Sequence, residues 1–429
     1  MQEDFLHYIW RYQKFDWSVL RSTAGEPIVV IHPGEPNKHG GPDFLNARIR
    51  LGDTLWAGNV ELHMRASEWK QHKHDQDTAY DSVVLHVVLE EDQLILRRNG
   101  ERLPCLELKG RIWPGMRRSY FNLMGDQQHW VACWPQIQEV DETLRTLWLE
   151  RISVERLAQR VEKVHALLAA HTGDWEAAFF QELARQLGQP ANTEPMEQLL
   201  RLAPLALLRK KRDSLFQTEA ILFGQAGLLE VDWQEDYPGE LQREYAFLKK
   251  EFQLTPMAAG AWKFLRMRPA NFPTLRIAQL ARLVFQTDRL FEKALSAMNA
   301  QELHNLFELK VSQYWRTHYR FGQVSAPHPK KLGASTVSRL LINVVAPFMF
   351  AYGTIQHSQR HTEQAVRLLD DLAPEDNIVL RNWKKGGWVA QNARQSQALL
   401  HLKKCYCTAS RCLDCAVGHA ILQYPESNL

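Results

Sequence analysis

The chain has 429 residues, 45% hydrophobic and 24% charged, with 22 glycines and 19 prolines, which supports two to three cored domains and excludes a disordered, collagen-like or low-complexity chain. A formal charge of +3 neither demands nor excludes a polyanionic partner. Six cysteines in so long a chain exclude a disulfide scaffold, yet four of them fall between positions 405 and 415.

The opening segment MQEDFLHYIWRYQKFDW places Phe5, Ile9 and Trp10 at helical spacing. It carries Glu3 and Asp4 and no apolar stretch ending in a small-residue cleavage site, so a signal peptide is not expected and a cytoplasmic location is. A β-branched run, 27–32, leads into the turn-rich HPGEPNKHGGPD. Segments 44–50 and 55–64 flank Leu51-Gly-Asp-Thr54 and read as a hairpin. A polar helix is expected over about 67–80, then a nearly continuous apolar strand over 82–90, central in its sheet. Residues 94–108 supply one more hairpin around Asn99-Gly100.

Beyond Asp141 the pattern changes to long 3.6-residue periodicity: 144–169, 175–187, 196–208, 215–229, 241–252 and 275–284. The apolar run 340–355 has 16 residues and contains Asn343 and Pro347, short of the ~20 that a bilayer span needs, and reads as a buried helix with no membrane partner. The expected architecture is an amino-terminal α/β (α+β) domain with a mixed sheet, residues 1–135, followed by a larger all-α domain, 136–429.

Charge divides the same parts. The first 110 residues carry 13 basic and 17 acidic side chains, whereas 260–340 carry 13 basic and 4 acidic ones interleaved with aromatics. Arg266, Arg268, Arg276, Trp315, Arg316 and Arg320 are the candidates there for phosphate contact and base stacking, with nucleic acid as the expected partner; the alternative is helix capping and core packing.

Chemistry concentrates in the first part. Alternate residues on a strand share a face, so Glu61 and His63 point together and Leu62 faces the core. Asp43 stands where the hairpin begins, and two converging carboxylates suit Mg²⁺ or Mn²⁺. A second reading gives weight to His63, His72, His74 and His86, which lie within 24 residues and with the carboxylates suit a metallohydrolase site for Zn²⁺, Fe or Mn. On a continuous helix His72 and His74 point to different faces, which argues against a site needing both. At the other end, Cys405, Cys407, Cys412 and Cys415 form a candidate four-thiolate site for zinc or an iron–sulfur cluster, the alternatives being buried free thiols or redox disulfides.

The order helix, strand, Pro42-Asp43, hairpin, Glu61-Leu-His63, helix, strand resembles the PD-(D/E)XK nuclease superfamily, whose α-β-β-β-α-β core carries a Pro-Asp pair ahead of a strand bearing Glu-x-Lys. The resemblance implies metal-dependent hydrolysis of DNA or RNA, with Asp43 and Glu61 holding the ion and Glu3 adding a carboxylate from the opening helix. His63 stands where the family has lysine; either it orients the attacking water, or Lys70 or Lys73 reaches in from the following helix. The opposing expectation is a non-catalytic nucleic-acid-binding or scaffold protein on a degenerate nuclease fold. Nearly the whole chain is also similar to a bacterial domain-of-unknown-function family, through GGPDF at 40–44, WAGNVELH at 56–63, EWKQHKHD at 68–75, VVLHVV at 83–88, FGQAGLLE at 223–230 and RPANFP at 268–273.

Overall fold

Period-two patterning and turn chemistry build the sheet directly. In β3 (Phe44–Leu51) Ala47, Ile49 and Leu51 are buried while Arg48 and Arg50 are exposed, and Gly52, at φ +54°, turns the chain into β4 (Thr54–Arg65). The computed structural model describes residues 2–37, 39–113, 115–125, 128–231, 233–287 and 289–423. It falls into two compact units: residues 1–145 with 403–429, and residues 146–402. The cysteine-bearing tail, read with the helical part, belongs to the first unit.

In the first unit the sheet runs β1 (Ile28–His32), β3, β4, β5 (Val83–Glu90), β6 (Cys105–Glu107), with the two-residue β2 (Glu35–Pro36) paired to β3. β1–β3 and β3–β4 are antiparallel; β4–β5 and β5–β6 are parallel. Gly58 permits the β4–β5 approach, since a Cβ there would lie 2.3 Å from Val84 Cγ1. One face of the sheet packs on α1 (Gln2–Arg11) and a later helix, Met116–Gly125, through Phe5, Leu6, Ile9, Trp10, Leu62, Leu85 and Tyr120. Each such side chain removed from water contributes about 1.5–3 kcal/mol. The opposite face carries Ala66, Trp69, Val88, Ile95, Leu103 and Cys105.

The β4-to-β5 crossover departs from the expected helix over 67–80. Only Glu68–Gln71 (α2) is α-helical; Lys73 adopts φ +63°, which ends the helix, and a 3₁₀ turn follows at Thr78–Tyr80. Glu68 ties the segment to β4 by accepting hydrogen bonds from the Met64 and Arg65 amides. The hairpin expected over 94–108 shrinks to a Leu96–Arg102 bridge, because Cys105–Glu107 pairs in parallel with β5 instead.

The second unit is helical, as its periodicity requires: α3 (Glu142–Ala170, entering from the first unit), α4 (Trp175–Leu187), α5 (Thr193–Leu202), α6 (Leu205–Lys210), α7 (Leu215–Gln225), α8 (Asp236–Glu251), α9 (Pro273–Gln286) and further helices to His401. The helix expected over 196–208 is divided at Ala203-Pro204, where proline cannot continue the hydrogen-bond ladder. Ala334–Ile355 is one 22-residue helical run, apolar enough to pass a membrane-span test, with 67% of its apolar window buried in the protein.

Candidate metal centre

Three strand and crossover features bring one cluster together. The parallel register sets Glu61 beside His86, and the pleat puts Glu61, His63 and His86 on the same side of the sheet. There His63 Nδ1 lies 2.9 Å from His86 Nε2, both rings being almost wholly buried. The turn at Lys73 supplies the rest. It releases His72 and His74 from helical spacing, and the His74 amide bonds back to Trp69 O at 3.0 Å, so both imidazoles swing to His63. The expectation that His72 and His74 diverge is corrected on this point: it assumed a helix that Lys73 terminates.

His63, His72 and His74 bring one donor atom each within 4.8 Å of one another. His63 Nε2 lies 3.2 Å from His72 Nδ1, and Glu61 Oε1 lies 3.2 Å from His74 Nε2 and 3.7 Å from His63 Nε2. His72 is exposed and His74 half-buried, so the group opens to solvent on that side. Trp69 packs edge-on against His63 and His74, and Tyr80 stacks on His74 at 3.8 Å between ring centroids. These contacts fix ring planes that would otherwise rotate.

Burial, followed by the neighbouring imidazoles, lowers the His63 pKa to about 2; burial lowers that of His86 to about 3. Both rings are therefore neutral at pH 7, the form that ligates metal. Burial raises the pKa of Glu61, and the Asp43 charge adds to this, against hydrogen bonds from His74 and the Asp43 amide. A cation would relieve that penalty.

Asp43 adjoins the cluster in a different role. Its amide donates to Glu61 Oε2 at 3.0 Å, its Oδ2 accepts the Leu62 amide at 3.0 Å, and the same oxygen lies 3.3 Å from His7 Nε2. Burial pulls the His7 pKa down, but Asp43 outweighs it and leaves it raised. Glu3, one helical turn earlier, acts on His7 through charge; His7 and not Glu3 is the α1 side chain that meets Asp43. Lys70 and Lys73 are exposed. Sequence reasoning singled out Glu61, His63 and the histidine group but missed His7, whose i, i+4 spacing from Glu3 was the available signal.

A cleft of about 290 Å³ adjoins His74, lined among others by Trp56, Tyr80, Arg97 and Arg98. Arg97 and Arg98 line it, Arg98 pairing with Asp81 Oδ2 at 3.4 Å, and Trp56 is 45% exposed.

The basic–aromatic candidates of the second unit fare differently. Trp315 is fully buried and stacks on Phe223 at 5.1 Å, so its assignment as a base-stacking platform is withdrawn. Arg276 is also withdrawn: it is 4% exposed and bonds Gln279 and Asn271, and burial lowers its pKa to about 10. Arg320 lies over the Phe264 ring at 4.3 Å, while Arg266, Arg268 and Arg316 are exposed. In the tail, Cys407, Cys412 and Cys415 line one small cavity, and Cys405 is not among its lining residues.

No curated protein and no solved structure matches the chain. A family model described as protein of unknown function (DUF2851) matches residues 3–378, and the chain belongs to that family.

Proposed function

We propose that the first unit is a metal-dependent phosphodiester hydrolase of nuclease type. The observation that carries this reading is the donor set: three imidazoles bring their donor atoms within 4.8 Å of one another, with Glu61 Oε1 3.2 Å from His74 Nε2, beside a cleft lined by two arginines. The order α1, β1, β3, β4, crossover, β5, antiparallel twice and then parallel, supports the resemblance to the PD-(D/E)XK core, in which Asp43 and Glu61 would be the acidic residues. The donors differ from that core's usual set, because His63 replaces lysine and Asp43 Oδ2 is engaged by the Leu62 amide and His7. Imidazole donors favour Mn²⁺ or Zn²⁺ over Mg²⁺.

His63 Nε2, His72 Nδ1, His74 Nε2 and Glu61 Oε1 would hold the ion; with His63 Nδ1–H donating to His86 Nε2, His63 Nε2 would be left unprotonated toward it. Such an ion lowers the pKa of water and polarises a phosphoryl oxygen. Arg97 and Arg98, which line the cleft, would hold the substrate phosphate, and Trp56 would stack on a base. The attacking water loses one proton, its oxygen bonds phosphorus, and the departing ester oxygen takes up a proton as its bond to phosphorus breaks.

The test is incubation with plasmid, single-stranded DNA and RNA under Mg²⁺, Mn²⁺ or Zn²⁺, comparing the native chain with Glu61→Gln and His63→Ala. Cleavage under Mn²⁺ or Zn²⁺ is expected to fall about 100-fold or more in both variants. Unchanged cleavage in either removes the site; binding without cleavage by the native chain favours the non-catalytic reading.

A further inference from the structure

The tail's cysteines find a fourth partner far away in sequence. Cys133 precedes a 3₁₀ turn, Trp134–Gln136, and packs in the first unit's core with Cys412 and Leu413. Cys407 ends a π-helical turn, Leu402–Cys407; Cys412 opens a 3₁₀ turn; Cys415 immediately precedes the helix Ala416–Gln423. All four line one cavity of about 20 Å³, with Leu123, Val131, Ala132, Tyr406, Arg411 and Gly418 among its other walls. Cys405, although nearer in sequence, does not line it.

The backbone around this cavity is drawn tight. A Cβ on Gly418 would lie 2.1 Å from the Cys412 carbonyl oxygen, so glycine is required for the last helix to approach the Cys412 turn. Lys403 donates to Trp130 O at 3.0 Å and lies over the Trp130 ring, bringing a cation to the Cys133 side. Arg411 pairs with Asp414 at 3.2 Å and covers the Tyr406 ring. No disulfide joins any of the six cysteines.

The four thiols line one cavity with cations at its margin, and although no three of their sulfurs lie within 4.8 Å of one another, together they have the chemistry of a thiolate metal site, since soft sulfur ligands select zinc and iron–sulfur clusters and cations offset the tetrathiolate charge. We infer that Cys133, Cys407, Cys412 and Cys415 hold a four-thiolate metal centre, a zinc ion or an iron–sulfur cluster, with Cys133 in the place that sequence spacing gives to Cys405. Four protein ligands leave no open position, so the role is structural. The centre fastens the point where the chain approaches the end of its first segment, at Cys133, to the point where it re-enters the first unit after residue 402. It thereby closes a loop holding all of residues 146–402.

The test uses the intact chain purified without chelator. Metal and acid-labile sulfide are quantified, and thiols are alkylated and mapped by mass spectrometry before and after chelation. About one zinc per chain without sulfide identifies the ion, and iron with matching sulfide identifies the cluster. In either case Cys133, Cys407, Cys412 and Cys415 are expected to resist alkylation until the metal is removed, while Cys405 reacts beforehand. Cys405→Ser is expected to retain its metal and Cys133→Ser to lose at least half. Less than about a tenth of an equivalent of zinc or iron in the native chain overturns the proposal, as does metal-dependent protection of Cys405 in place of Cys133. Mapping the native chain keeps the result decisive even if Cys133→Ser fails to fold.

Discussion

The histidine face of the first unit and the basic–aromatic stretch at 260–340 of the second attract attention for the same reason, an excess of polar and aromatic side chains over what a core requires. Folding treats them in opposite ways. On the sheet, register and a single positive-φ turn gather His63, His72 and His74 at one point that remains open at His72, with Glu61 against His74. In the helical unit the aromatics close on one another: Trp315 stacks on Phe223, Tyr314 on Tyr237 at 4.7 Å, and Arg276 is sealed in by Asn271 and Gln279. A strand fixes which side chains share a face at every second residue, whereas composition along several helices says nothing of which faces meet.

The largest expected effect breaks or secures the second half of that contrast. Trp315→Ala empties a fully buried site and is expected to cost about 3–5 kcal/mol of stability. Denaturant unfolding measures the loss. A variant that keeps its stability but loses nucleic-acid affinity returns Trp315 to a binding role.

Acid separates the two regions by sign. His63 and His86 have folded pKa values of about 2 and 3, below the unfolded value of 6.5, so the stability they represent is present above pH 6.5 and is lost as pH falls. From pH 6.5 to 5 the loss is about 2 kcal/mol for each ring, on the order of 4 kcal/mol for the pair in metal-free protein. In the second unit Glu219 works the other way: burial raises its pKa to about 7, so its contribution is full below its unfolded value of 4.5 and lost as pH rises toward 7. Thermal melts of chelator-treated protein at pH 7.5 and 5 should show the acid loss, and a His63→Phe/His86→Phe double variant should flatten it. An unchanged slope in that variant places the acid sensitivity elsewhere.

A smaller effect sharpens the metal assignment. His86→Phe removes the partner of His63 Nδ1 without touching a donor atom. The expected result is a 10- to 100-fold loss of Mn²⁺ or Zn²⁺ affinity, about 1.4–2.7 kcal/mol, read by competition with a chromophoric chelator. Equal affinity in the variant means that His86 is only a core histidine.

What was legible in the chain follows from the same physics. The hairpin at Leu51-Gly-Asp-Thr54, the apolar strand expected at 82–90 and the shared face of Glu61 and His63 rest on local patterning and turn residues, and all three stand in the structure, although the strand lies next to the sheet's edge and not at its centre. The meeting of His72 and His74 depended on Lys73 entering the left-handed region, which nothing in its residue type announces. The grouping of Cys133 with Cys407 depended on the chain returning to the first unit after residue 402, a contact that no local spacing encodes. Helix positions in the second unit were likewise legible from periodicity, but the burial of Arg276 was not, because its partners Asn271 and Gln279 become apparent only once the helix has a packed side.

Lys73 offers the finest test, since two explanations of the crossover make it either a hinge or a catalytic amine. As a hinge it matters for its φ of +63° alone; its side chain is exposed. Glycine occupies that conformation without strain but loosens the unfolded chain, two effects of about 1 kcal/mol that oppose each other. Lys73→Gly is therefore expected to change stability by less than about 1 kcal/mol and to leave metal affinity and hydrolysis as they are. Lys73→Val keeps an ordinary side chain but resists the left-handed region, so it is expected to cost about 1–2 kcal/mol and to weaken metal binding by dispersing His72 and His74. If Lys73→Gly binds metal normally and yet loses hydrolysis, the amine itself takes part in the reaction, and His63 is a ligand standing where the lysine of the nuclease core was replaced from the crossover.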